Sequence, residues 1–313
     1  MLPEKFREPA GFQWGAFTGS GGARIRCGSL QPEGEPKGTM VIVPGFREPI
    51  EKYFEVARER TAKGFAVWMM DWRGQGGAER FLKDNPQKMH GEGYGGHIET
   101  LHQFANGIVK KTAGPLVLMA HSMGAHIGLR CLKEHPGVFD AALLTAPMFD
   151  ISTGLLPKPA ARMLTVLAKA LNCLDKYIPG GGDWNEAGEV FSGNRKTSDP
   201  DRFRVAGEIY KNNPELKMGD PTYGWVFHTF ASIDILNGEG YLKSIRTPVL
   251  MQISGMEAIV DNAAAKRACR ILPDCICMYV PPARHEIWME MDGLRDLWRA
   301  KIDVFLEEKL NLG

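Results

Sequence analysis

Uninterrupted apolar blocks recur along this chain and alternate with longer stretches whose apolar positions repeat at helical spacing. The blocks are Thr39 to Pro44, Phe65 to Asp71, Pro115 to Ala120, Phe139 to Pro147, Pro248 to Ile253 and Cys275 to Val280. Short apolar runs without polar alternation are the signature of strands covered on both faces. The helical stretches are Ile50 to Lys63, Gly95 to Lys111, Ala125 to Lys133 and Leu294 to Leu310. Near the N-terminus, Phe12 to Thr18 and Ala23 to Leu30 flank Gly19-Ser20-Gly21-Gly22, which predicts a hairpin. Strands alternating with helices predict an α/β fold with a mostly parallel central sheet and helices on both faces.

The rhythm breaks between Met148 and Asn237. That interval holds six prolines, a Gly180-Gly181-Gly182 run and helical patches with no strand between them. It reads as a helical lid of residues 148–237 inserted into a core made of 1–147 and 238–313. Within it Leu164, Leu167, Leu171 and Leu174 repeat at helical spacing, with Met163 and Val166 beside them. Such a stripe either seals the lid onto the body or lines an acyl-chain channel. Leu164 and Leu167 are therefore candidate substrate contacts.

Length and composition narrow the function classes. At 313 residues and 44% hydrophobic, the chain can bury a full core. A net charge of +1 provides no field to concentrate nucleic acid. No apolar run approaches the ~20 residues of a membrane span, which leaves only transient membrane contact. The start of the chain lacks the apolar core of a secretion signal, so a cytoplasmic location is expected. The six cysteines form no C-x-x-C pair and read as free thiols rather than metal ligands. Nothing in the pattern indicates an oligomeric state.

The chemistry concentrates around Ala120-His121-Ser122-Met123-Gly124. A serine between an apolar strand and a helix resembles the nucleophile elbow of α/β-hydrolases, with Ala120 in place of the first glycine. A serine hydroxyl needs a base, and the base needs an orienting carboxylate. In that fold the order is serine, acid, histidine. Of the eight histidines only His228 and His285 lie well downstream. His285 follows the last strand and is the candidate base, while His228, in an aromatic lid segment, is a candidate substrate contact. Glu257 follows the preceding strand closely and is the candidate acid. Asp261, which precedes Asn262-Ala-Ala-Ala, reads as a helix N-cap but stays open as the alternative. The amide N–H groups of Met123 and of Phe46, in the Gly45-Phe46-Arg47 loop, are candidate oxyanion donors, one such donor being worth roughly 2.7–4 kcal/mol. Gly45 allows close backbone approach there, and His121 adjoins the nucleophile.

Together these segments resemble the lysophospholipase L2 and monoacylglycerol lipase group of serine aminopeptidase S33-type α/β-hydrolases. The likeness rests on Asp71-Trp-Arg-Gly-Gln-Gly76, on His90, Tyr94, Leu101 and Phe104, on His121-Ser-Met-Gly124, on Glu257-Ala-Ile-Val-Asp-Asn262 and on Arg284-His-Glu-Ile287 with Glu290. Pro44 stands where monoacylglycerol lipases carry a histidine. His97 and Thr100 stand where the group carries tyrosine and aspartate. The resemblance implies a serine hydrolase acting on small acyl esters, lysophospholipid-like or monoacylglycerol-like. Ser122, Glu257 and His285 would do the chemistry with no metal or organic cofactor. Two alternatives keep the same three residues: a small-ester or thioester hydrolase, and an aminopeptidase using Asp183, Glu186 and Glu189 near Trp184. A catalytically silent ligand-binding protein is the non-enzymatic alternative. Haloalkane dehalogenases and epoxide hydrolases are disfavoured, because they carry aspartate at the elbow.

Overall fold

The computed structural model describes residues 2–109 and 114–312. Its centre is an eight-stranded sheet: β1 (Gln13–Thr18), β2 (Arg24–Leu30), β3 (Gly38–Val43), β4 (Phe65–Met70), β5 (Leu116–His121), β6 (Ala141–Thr145), β7 (Val249–Ser254) and β8 (Cys275–Val280). The spatial order is β1-β2-β4-β3-β5-β6-β7-β8. The β1–β2 hairpin and the β2–β4 pair are antiparallel, and every other neighbouring pair is parallel.

Each central strand divides its side chains between two cores, as the two-residue strand period requires. Val41, Val43, Leu118, Ala120, Leu144 and Met251 join one core, with α2 (Gly95–Gln103), α3 (Met123–Glu134) and α7 (Asn262–Ile271). Met40, Ile42, Val117, Met119, Leu143 and Leu250 join the other, with α1 (Phe54–Ala62) and α8 (Asp292–Leu310). The stretch expected as one helix over 50–63 opens with a 3₁₀ turn at Ile50–Tyr53. The helix expected over 95–111 ends at Gln103 and gives way to a π turn at Phe104–Ile108, while Lys111 lies outside the described residues.

Between β6 and β7 lies the helical insertion, a lid built on α4 (Lys158–Ala170), α5 (Pro200–Asn212) and α6 (Tyr223–Leu236). The leucine stripe does not seal the insertion onto the body as a unit. The buried positions of α4 are Ala161, Thr165 and Ala168, while Leu167 and Leu171 are exposed with Met163 and Val166. Small residues let α4 lie close on α6, where Ala161 meets Val226 and Phe230. Met163, Val166, Leu167 and Leu171 are thereby turned away from the body, while Leu164 is half-buried.

Two polar arrangements tie the insertion to the core. Arg202, on α5, is buried and bonds Glu55, Asp199, Asp292 and the Glu290 carbonyl. His126, on α3, is also buried. Its Nδ1–H donates to the Met148 carbonyl at 2.9 Å, and its Nε2 accepts the Ser232 hydroxyl of α6 at 2.6 Å. Arg130 donates to the same Ser232 oxygen at 2.8 Å, which fixes the direction of that relay.

Burial pushes His126 down to about 3. An unfolded chain takes up this proton near pH 6.5, whereas the folded chain refuses it until about pH 3. Stability from this group is therefore complete above pH 6.5 and falls on acidification toward pH 3, by up to about 1.4 kcal/mol per pH unit. Urea unfolding at pH 7 and pH 5 is expected to show lower stability at pH 5. In His126→Asn that pH difference shrinks.

Candidate active site

β5 runs straight into Ser122, and α3 begins at the next residue. Ser122 has φ 50° and ψ −112°, a strained conformation for a residue with a side chain. Backbone bonds hold it on both sides. Ser122 N–H donates to the Thr145 carbonyl at 2.9 Å, and the Ser122 carbonyl accepts from His126 N–H at 3.1 Å and Met148 N–H at 3.2 Å. A methyl at Gly124 would lie 2.5 Å from the Pro44 carbonyl oxygen, so only glycine lets α3 start this close to the end of β3. Ala120, in the position where the elbow pattern has glycine, is buried in the first core with its methyl accommodated.

The loops after β7 and β8 bring two further groups to this turn. His285 Nε2 lies 3.0 Å from Ser122 Oγ, and His285 Nδ1 lies 2.7 Å from Glu257 Oε2. Glu257 Oε1 in turn accepts the N–H groups of Ala258, Ile259 and Val260 at 2.9, 2.7 and 3.2 Å. Burial alone would raise this carboxyl, but the facing imidazole and the amide donors outweigh it and hold Glu257 below its ordinary value. With the carboxylate taking Nδ1–H, Nε2 is left to accept a proton from the serine. Asp261 is engaged elsewhere: its Oδ1 caps α7, accepting from Ala263 N–H at 2.7 Å and Ala264 N–H at 3.0 Å.

The loop after β3 completes the turn's surroundings. A methyl at Gly45 would stand 2.9 Å from His121 Cδ2 and 3.2 Å from Ser122 Cβ. Gly45 N–H donates to Glu48 Oε2 at 2.7 Å, and Arg47 N–H donates to Gln75 Oε1 at 3.2 Å. Between them Phe46 N–H makes no hydrogen bond among the described residues, and neither does Met123 N–H at the start of α3. Phe46 lines the cavity at Ser122, and its ring packs 4.1 Å from that of Trp225.

That cavity holds about 180 Å³ and is lined by Ser122, His121, His285, Lys52, Glu189 and Lys196, among others. Burial pushes His121 down to about 4, and its Nδ1 lies 2.9 Å from Thr145 Oγ1. Three other candidate contacts are not on this wall. His228 is half-buried on α6, and Leu164 and Leu167 sit on α4, whose inward positions are the small residues. Of the acids considered for an amino-group pocket, Glu189 lines the cavity, Glu186 pairs with Lys211 at 2.8 Å, and Asp183 accepts from Asn85 and Tyr177. The described residues offer one cluster with metal-ligand chemistry, Glu99 with His102 and His135. It belongs to α2 and the C-terminal end of α3, away from the elbow.

A profile of the serine aminopeptidase S33 family matches residues 34–292. The chain belongs to that family. Lysophospholipase L2 of Escherichia coli K12 is 32% identical over 302 residues, covering 92% of this chain and 86% of that protein. A monoacylglycerol lipase of Mycolicibacterium smegmatis is 28% identical over 166 residues, covering 52% of this chain and 55% of that protein. Among solved structures, a soluble variant of Saccharomyces cerevisiae monoglyceride lipase in complex with a substrate analogue superposes with a TM-score of 0.74. Its identity is 17%, over 99% of this chain and all of that one. The fold is thus that of the α/β-hydrolases, and this member of the S33 family is an enzyme of the serine-hydrolase type.

One feature of this S33-family site escaped the sequence. Lys52 is buried between two buried carboxylates, bonding Glu48 and lying 2.8 Å from Glu286. Glu48 also accepts the Tyr53 hydroxyl at 2.6 Å, besides the Gly45 N–H. The lysine therefore joins the loop carrying Phe46 to the residue next to His285. The only trace in the sequence is the four-residue spacing of Glu48 and Lys52, which is equally common on solvated helices. Despite burial, the two carboxylates keep Lys52 charged, with its pKa above the ordinary lysine value. Removing it strands two carboxylates in the core. Lys52→Met is expected to cost about 3–5 kcal/mol in urea unfolding at pH 7.

Proposed function

We propose that the chain hydrolyses carboxylic esters of the monoacyl glycerolipid kind, with Ser122 as nucleophile, His285 as general base and acid, and Glu257 as the orienting carboxylate. The observation that carries this reading is the continuous line from Ser122 Oγ to His285 Nε2, 3.0 Å, and from His285 Nδ1 to Glu257, 2.7 Å. These are the lengths at which a proton passes between heavy atoms. The likeness to lysophospholipase L2 over 92% of the chain supports the choice of substrate.

The cycle has two halves. Ser122 Oγ attacks the ester carbonyl carbon while its proton moves to His285 Nε2. The carbonyl oxygen becomes an oxyanion, which the N–H groups of Phe46 and Met123 receive. The tetrahedral carbon then expels the alcohol oxygen, which takes the proton from Nε2, and the acyl group stays on Ser122. A water molecule repeats the sequence, giving a proton to His285 and its oxygen to the acyl carbon. The proton returns to Ser122 as the carboxylic acid departs. Glu257 remains ionised throughout and steadies the imidazolium. The chemistry needs no metal and no organic cofactor.

An aminopeptidase reading requires acidic groups near Ser122 to receive an α-ammonium. Of the three acids near Trp184 only Glu189 lines the cavity, so the peptidase reading rests on that one carboxylate, which already accepts the Trp184 indole N–H. Purified protein is expected to hydrolyse monoacylglycerols and lysophospholipids and to leave aminoacyl-anilides intact. Ser122→Ala is expected to lower kcat by about 10⁶-fold. Retention of esterase turnover by that variant would refute the assignment.

A further inference from the structure

Two imidazoles and a carboxylate meet where α2 and α3 end. Glu99 and His102 are three residues apart on α2 and so share a face, and His135 is the first residue after α3. One ligand atom from each stands within 4.8 Å of the other two. A glutamate followed by a histidine three residues on is the spacing with which helices present metal ligands, because both side chains project the same way. The group is remote from the ester chemistry. Ser122 precedes the first turn of α3 and His135 follows its last, and a helix of 12 residues is ~18 Å long.

The three groups are close without being bonded to one another. His135 Nε2 lies 3.4 Å from Glu99 Oε2, and His102 Nδ1 lies 3.7 Å from Glu99 Oε1. Both separations exceed the ~2.7–3.2 Å of an N–H···O hydrogen bond. They come near the ~3.3–3.4 Å edge of a tetrahedron with arms of ~2.0–2.1 Å, the lengths of zinc bonds to imidazole and carboxylate. His102 Nδ1 is itself buried and has no hydrogen-bond partner. A buried ring nitrogen without a partner is costly, and an ion or a water molecule removes that cost. Glu99 Oε1 accepts the Gln103 side-chain amide at 3.0 Å, the kind of bond that orients a ligating carboxylate, and Oε2 is left for an ion. The two rings stack, with centroids 3.9 Å apart and planes 8° apart. Their in-plane lone pairs therefore run side by side. Turning one ring about its Cβ–Cγ bond makes them converge beside Glu99. His135, half-buried at a helix end, is the ring placed to turn.

Two nitrogens and one oxygen suit zinc, copper or nickel, whereas magnesium and calcium take shells of oxygen alone. All three side chains reach solvent in part, so an ion has a way in and water completes its shell. We propose that Glu99, His102 and His135 form a site for a divalent transition-metal ion, best matched by zinc, that clips the end of α2 to the end of α3. The ion braces the point at which α2 gives way to the π turn Phe104–Ile108, a change of winding that frequently accompanies functional sites. Its role is structural, and the site does not depend on which ester the enzyme cleaves.

The test titrates chelator-treated protein with Zn²⁺ by calorimetry and with Co²⁺ by absorption. One ion is expected per chain. The cobalt spectrum is expected to show tetrahedral d–d bands without a thiolate charge-transfer band, which separates this site from Cys269 and Cys275, whose sulfurs lie 2.6 Å apart. Zn²⁺ is expected to raise Tm, and chelator to reverse the rise. Glu99→Gln and His135→Gln are each expected to weaken zinc binding by about tenfold or more, since the loss of even an outer partner of a metal ligand costs about 10–100-fold. Without metal, both variants are expected to keep the Tm and the ester turnover of the metal-free parent, which separates loss of a ligand from misfolding. Zinc affinity unchanged in both variants overturns the site, as does a thiolate band in the cobalt spectrum. Binding of Zn²⁺ no tighter than that of Mg²⁺ overturns it too, because a water molecule then suffices to satisfy His102.

Discussion

The backbone turn at Ser122 is the constraint on which the rest of the site depends. A non-glycine residue at φ 50° and ψ −112° does not hold that shape alone. It is held because β5 pairs in register with β6, so that the Thr145 carbonyl reaches Ser122 N–H, and because α3 starts against the end of β3. The same closeness brings Gly45 against His121 and Ser122, and so decides where Phe46 N–H can be. A strained serine, a glycine that cannot carry a methyl and an unpaired amide are three results of one packing requirement.

Three loops converge on that turn, and loops are the least constrained parts of a sheet protein. Here each is braced by buried polar contacts. Lys52 spans the loop after β3 and the residue beside His285, through Glu48 and Glu286. Three consecutive amides hold Glu257. The insertion itself clasps the histidine loop through residues 194–198, with Ser198 bonding Glu290 and Glu290 accepting the Arg284 amide at 2.8 Å. Buried ion pairs contribute little net stability once desolvation is counted, but they tolerate few alternative arrangements. Their value in this enzyme is the fixing of loop geometry.

The insertion combines two behaviours. Its 194–202 segment is anchored to the core through Arg202, Glu55 and Glu290. Its α4 helix rests on α6 through alanines and a threonine and exposes Met163, Val166, Leu167 and Leu171. An amphipathic period in the sequence establishes that a helix has two faces. It does not establish which face turns inward when small residues permit a closer approach than leucines do. The leucines are divided for this reason: Leu167 and Leu171 face outward, Leu164 is half-buried, and neither Leu164 nor Leu167 lines the cavity at Ser122. His228 likewise is half-buried without lining that cavity, because an aromatic neighbourhood shows burial, not which wall the ring joins.

The parallel strands, the hairpin, the helical insertion and the serine's turn were legible in the sequence, because each is a local matter of period, turn residues and small side chains. The capping of α7 by Asp261 was also local, since an aspartate directly before Asn262-Ala-Ala-Ala serves its own helix first. Lys52 as a buried cation and Glu286 as its partner were decided only by tertiary structure. A charged residue reads alike on a solvated helix and in a core. Its meaning depends on what surrounds it in three dimensions, and groups as distant in the chain as Glu48 and Glu286 become neighbours only once the sheet has closed the separation between their loops.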